Sequence, residues 1–140
     1  MMTDKSRVSS IKLRLLFFST AVFITPVGFF TKFYLGPGSG WVQLYAGDIF
    51  YPVFWYFLFL TVFPHFNYLL LAGINLIFDA LIEFTQLINT PLLASIRKNF
   101  LGRTIIGSGF DKNDLIYYIA GNILAIVIYC LLLHRLQNRR

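Results

Sequence analysis

Residues 49–78, IFYPVFWYFLFLTVFPHFNYLLLAGINLIF, carry no formal charge when His65 is neutral. One helix over these 30 residues would be about 45 Å long at about 1.5 Å per residue, too long for a hydrocarbon core of about 30 Å. The Pro64-His65-Phe66-Asn67 segment divides the stretch, because proline ends a helix and asparagine favours a turn. The reading is two apolar helices, near 46–63 and 68–90, joined tightly and running antiparallel. A soluble domain cannot be built around such a pair, so the solvent for most of this chain is lipid.

Composition agrees. The chain is 57% hydrophobic and only 13% charged, with a mean hydropathy of +0.68, whereas a soluble domain spreads roughly a quarter of its residues as charge. Upstream, the uncharged run between Arg14 and Lys32 suffices for one tilted span, predicted over about 13–33, with Pro26 placed to kink it. It is long for the apolar part of a signal peptide and no small-x-small cleavage site follows, so it reads as an uncleaved helix. The segment YLGPGSGW (34–41) reads as a loop, with Trp41 and Tyr45 suited to an interfacial aromatic belt. Downstream, a helix is predicted over about 114–134. The expected fold is therefore all-α: a polytopic membrane protein of four transmembrane helices, up-down-up-down, as one domain over residues 1–140.

The connection from Pro91 to Asn113 has two parts. PLLASIRKNFL mixes apolar and basic residues as a short interfacial helix would, and GRTIIGSGFDKND reads as an ordered, turn-rich loop. The net charge of +6 concentrates at helix ends. The side of the termini holds Lys5, Arg7, Lys12, Arg14, Arg135, Arg139 and Arg140, and the other side holds Lys32, Arg97, Lys98, Arg103 and Lys112. The excess favours cytoplasmic termini. Such clusters are head-group anchors, and nucleic acid is not an expected partner. Cys130 stands alone, so no intramolecular disulfide is available, and neither a metal-ligand spacing nor a cofactor motif is present.

The polar residues inside the spans carry the functional information. Asn75, Asp79, Glu83 and Gln86 fall within about 80° of arc at about 100° per residue, one stripe on an apolar helix. A charged residue at the centre of a span costs about 2.5–3.5 kcal/mol on insertion scales, so the stripe should face the bundle interior. Polar glue between helices is the plainer alternative, but glue is usually Ser, Thr or Asn rather than carboxylate. On the last helix Asp114, Tyr118, Gly121 and Ala125 share a face with Asn122 beside them, and Gly121-x-x-x-Ala125 permits close backbone approach. Asp48 opens the second helix, on a face continuing through Tyr51 and Trp55, where helix capping is the competing explanation. Arg103 lies in sequence between Glu83/Gln86 and Asp111/Asp114. A folded loop would return its guanidinium to those carboxylates, or let it share them with a phosphate.

Glu83-x-x-Gln86, Gly102-Arg103, Asp111-x-x-Asp114 and Gly121-Asn122 together resemble the VanZ-like families of small bacterial integral membrane proteins, over roughly residues 45–125. The segment GSGFD (107–111) looks closest to an uncharacterised branch of that group, and Asp48 is similar to the acidic residue that begins its early motif. One departure is the stretched spacing from Arg103 to Asp114, caused by the glycine-rich insertion. The resemblance implies a multi-pass cell-envelope protein of the bacterial inner membrane; the family's namesake is associated with reduced susceptibility to glycopeptide antibiotics, without an established reaction. The functional expectation is an acid–arginine site that binds an anionic lipid or a lipid-linked phosphate. Whether a reaction occurs stays open, since no nucleophile motif is present. The alternative is a non-catalytic accessory or scaffold subunit that packs on a membrane-protein partner through aromatic residues such as Phe54, Trp55, Phe57 and Phe59. A homo-oligomeric pore lined by Asp79 and Glu83 ranks third.

Overall fold

The computed structural model describes residues 9–107 and 109–138; Lys5, Arg7, Arg139 and Arg140 of the terminal clusters, and Ser108, lie outside them. Every regular element among the described residues is helical. Four helices are long and apolar enough to cross a membrane: α1 (Ser10–Phe33), α2 (Ser39–Val62), α3 (Tyr68–Thr85) and α6 (Asp114–Asn138). Two short helices, α4 (Pro91–Lys98) and α5 (Phe100–Ile106), lie between α3 and α6.

The boundaries follow from local chemistry. Asn67 caps α3, its side-chain oxygen accepting from the N–H groups of Leu69 and Leu70, both at 3.0 Å, which ends the uncharged run as a turn. Thr90 does the same for α4 through Leu93, with Pro91 at the first helical position. The third span stops at Thr85, short of the expected residue 90. Arg97 reaches back to donate to the carbonyls of Thr85 (2.7 Å) and Ile88 (3.2 Å), satisfying groups that a longer helix would have bonded itself. The second span begins at Ser39, earlier than expected. Residues 34–38 separate it from α1, with Gly38 left-handed (φ 73°) just before the helix, and Val42–Ala46 continues as a π-helical turn. Lys32 Nζ donates to the Gln43 carbonyl inside that turn at 3.1 Å.

The second half of the connection departs most from expectation, because GRTII, expected as loop, forms α5 together with Phe100 and Leu101. Gly102 is the reason: a Cβ there would strike the Ile96 carbonyl, so glycine lets α5 fold directly against α4. Gly107 (φ 78°) then ends α5 in a conformation that L side chains rarely adopt.

The four spans alternate in direction. Ser10, at the start of α1, hydrogen-bonds His65 in the turn after α2, and Trp41, at the start of α2, hydrogen-bonds Tyr117 at the start of α6. Helix α2 is central. Phe17 of α1 and Val53, Tyr56, Phe57 and Leu60 of α2 are fully buried, with the Phe17 ring tilted against Phe57 and stacked on Tyr129. The expectation of an aromatic outer surface therefore fails for Phe57, and Phe54, Trp55 and Phe59 are partly covered as well. The outer surface is instead a ring of exposed apolar residues such as Phe23, Phe30, Leu70, Ile77 and Ile116, as a lipid-facing wall requires. The protein is a multi-pass membrane protein.

Candidate functional site

The polar stripe of α3 faces α2 and α6, as its periodicity predicts. Asn75, Asp79 and Glu83 are completely buried and Asn122 nearly so. Close contact between α6 and α2 makes this possible. A Cβ at Gly121 would collide with the Ile49 carbonyl and the Pro52 ring, so glycine brings Asn122 within reach of α3. Thr85 is the last residue of α3, which places Asp79 about 9 Å and Asn75 about 15 Å below that end at about 1.5 Å per residue. The stripe thus descends from the loop face to the middle of the span.

The upper part is organised by Glu83. Its carboxylate accepts from Gln86 Nε2 (2.7 Å), the Tyr118 hydroxyl (3.0 Å) and the backbone N–H of Asp111 (2.9 Å). Gln86 in turn accepts from the backbone N–H of Gly109 at 2.8 Å, and the Gln86 side chain occupies the space that a Cβ on Gly107 would fill. The glycine-rich loop is therefore pinned to the end of α3 by its main chain. Asp111 adds a local turn, its Oδ1 accepting from the N–H of Asn113. The Tyr51 hydroxyl donates to the Ile105 carbonyl, tying α5 to α2.

The lower part is an amide–carboxylate cluster. Asn75 Nδ2 lies 3.0 Å from the Pro52 carbonyl, 2.9 Å from Asn122 Oδ1 and 3.3 Å from Asp79 Oδ2. Asn122 Nδ2 donates to Asp79 Oδ2 (3.2 Å) and to the Tyr118 carbonyl (3.0 Å).

Arg103 does not join this centre. The loop does return to the carboxylates, but it brings the N–H groups of Gly109 and Asp111 there, while Arg103 is exposed on α5. The donors that surround Glu83 are neutral, so an acid–arginine pair is replaced by an acid held by amides and a hydroxyl. Capping also fails for Asp48: α2 starts at Ser39, more than two turns earlier, and Asp48 sits inside a continuous helix. Asp48 and Asp114 are half-buried at the loop end, near enough to each other, to Glu83 and to Lys32 for their charges to interact. Among the described residues no group of His, Cys, Asp and Glu is arranged to hold a metal ion.

Sequence reasoning left three members out of its site. Tyr118 and Asn75 lay on the right helix faces and were legible as such. The Pro52 carbonyl had no signal in the sequence, because a proline frees the carbonyl four residues before it and not its own.

The chain matches no curated protein and no solved structure. One family model matches residues 38–122, a stretch that contains every residue of this centre from Asp48 to Asn122. Its description is a protein of unknown function, DUF2809, and since the match covers more than half of the sequence, the chain belongs to that family.

Proposed function

We propose that this is a VanZ-like membrane protein of the bacterial cell envelope whose loop face binds the phosphate of an anionic lipid or a lipid-linked phosphate. One observation carries the reading: a basic, apolar-edged arm is fastened over a buried acidic centre. Arg103, Lys98 and Lys112 are exposed on or beside the arm, and so are Leu92, Phe100, Leu101 and Ile105. A short helix pair that exposes both cations and apolar side chains suits the head-group boundary of a bilayer. Arg103 supplies two parallel donors to a phosphate, which a lysine cannot.

Glu83 has a positioning role in this reading. It holds the backbone at Asp111, and with it the loop that fixes the distance between α5 and α6. The chemistry at the site is recognition by charge and shape, with no group placed as a nucleophile. Lipid co-purifying with the protein from bacterial membranes tests the reading by mass spectrometry. Wild type should retain anionic phospholipid or a polyprenyl phosphate over zwitterionic lipid, and Arg103→Gln should lose most of that preference. Equal retention by both proteins would remove the proposal.

A further inference from the structure

The lower cluster has a bonding deficit of one kind. Asp79 Oδ1 and Asn75 Oδ1 are buried acceptor atoms with no hydrogen-bond partner, on side chains with no exposed surface. The donors around them are already engaged: Asn75 Nδ2 with the Pro52 carbonyl and Asn122, and Asn122 Nδ2 with Asp79 Oδ2 and the Tyr118 carbonyl. Turning an amide over does not cure this, since it would exchange one unmatched oxygen for another. An unpaired buried acceptor is costly, and an uncompensated carboxylate in hydrocarbon is costlier still.

Among the described residues no cation is placed to offset it. Helices α2 and α3 contain no Lys, Arg or His, and on α6 the nearest such residue in sequence, His134, follows Asn122 by more than three turns. What the cluster lacks is a small positive or proton-bearing species that binds oxygen. We infer that Asp79, with Asn75 and Asn122, forms an intramembrane binding site for a small monovalent cation, a proton or an alkali ion. Hard oxygen ligands of one carboxylate and one amide suit either. The site lies one turn below Glu83, and the polar column above it, through Glu83, Tyr118 and the half-buried Asp48 and Asp114, leads to the loop face. The titratable groups nearest to Asp79 are Glu83 on its own helix, Tyr51 on α2 and Tyr118 on α6. This site is separate from the proposed phosphate-binding arm, and Asp79→Asn leaves that arm intact.

The test uses the full chain in lipid nanodiscs and a membrane-soluble carbodiimide, which modifies protonated carboxyl groups, with the modified residue located by peptide mass spectrometry. Modification of Asp79 that is lost in NaCl but retained in choline chloride identifies an alkali-ion site. Modification indifferent to Na⁺ but lost as pH rises identifies a proton site. Melting temperature provides a second readout: wild type should shift with Na⁺ or with pH, and Asp79→Asn should lose that shift. If neither modification nor the Asp79-dependent melting shift responds to Na⁺ or pH, the inference is overturned and the cluster is inert glue between helices. Peptide mapping separates Asp79 from Glu83, and the modification arm needs no variant to fold.

Discussion

The two seams along α2 are built on different physics. On one side α1 meets α2 through Phe17, Val53, Phe57 and Leu60, all fully buried and all apolar. On the other, α3 and α6 meet through Asn75, Asp79, Glu83, Tyr118 and Asn122. In water the first seam would dominate stability. In a bilayer it does not, because lipid tails are as apolar as phenylalanine and the transfer gain is small. There the apolar seam is held by shape and dispersion, while the polar seam is held because its groups have nowhere else to bond.

That contrast orders the expected effects of substitution. Glu83→Ala strikes the polar seam where one carboxylate satisfies three donors. It should destabilise by about 3 kcal/mol or more, given about 1–3 kcal/mol for each buried group left unpaired. The loop at 107–113 should then become sensitive to limited proteolysis. Glu83→Gln keeps the side-chain volume and one of the two acceptor oxygens and should lose less, so equal losses in the two variants would show that hydrogen bonding is not what holds the loop.

Gly121→Val tests the close approach of α6 to α2 on which the polar seam depends. A side chain there meets the Ile49 carbonyl and the Pro52 ring, and overpacking of about 1–3 kcal/mol is expected, read as a lower unfolding midpoint in a mild detergent. Because α6 would be pushed off α2, Asn122 should also lose its contact with Asn75. A double variant with Asn122→Ala should therefore lose less than the sum of the two. Strict additivity would mean that the close approach and the amide bond are independent.

Phe17→Ala addresses the apolar seam. A buried Phe→Ala change costs about 3–5 kcal/mol in soluble cores. Here about 1–2 kcal/mol is expected, since lipid can solvate what is uncovered. A loss in nanodiscs as large as that of Glu83→Ala would reverse the ranking of the seams. The smallest effect belongs to Tyr51→Phe, which removes one hydroxyl from the Ile105 carbonyl. About 1 kcal/mol is expected, confined to α5, and hydrogen exchange at residues 100–106 should rise while α3 and α6 stay protected.

Much of the polar seam was legible from spacing alone. Asn75, Asp79 and Glu83 repeat at helical period, and period is a property of one segment. The part played by Arg103 was not legible. Its position depends on α5 being helical, which requires Gly102 to sit against Ile96 and Tyr51 to hold Ile105. Gly102 and Gly107 read as turn signals of an ordered loop, whereas the first serves helix packing and the second ends a helix. Asp48 shows the same limit: whether it caps a helix or lies within one turned on where α2 begins, and a π-helical turn stabilised from Lys32 moved that start.

The sequence by itself determined that this chain lives in a membrane, that four segments cross it, and that the acidic face of α3 points inward. Hydropathy and period suffice for those conclusions because each helix satisfies its own backbone and must turn its polar side away from lipid. Only the tertiary structure decided that Glu83 bonds a loop backbone and a tyrosine rather than an arginine, and that Asp79 and Asn75 keep unmatched oxygens. Partners across helices depend on the rotation and register of one helix against another. Those are set by close approaches such as Gly121 on Ile49 and Pro52, which no single segment encodes.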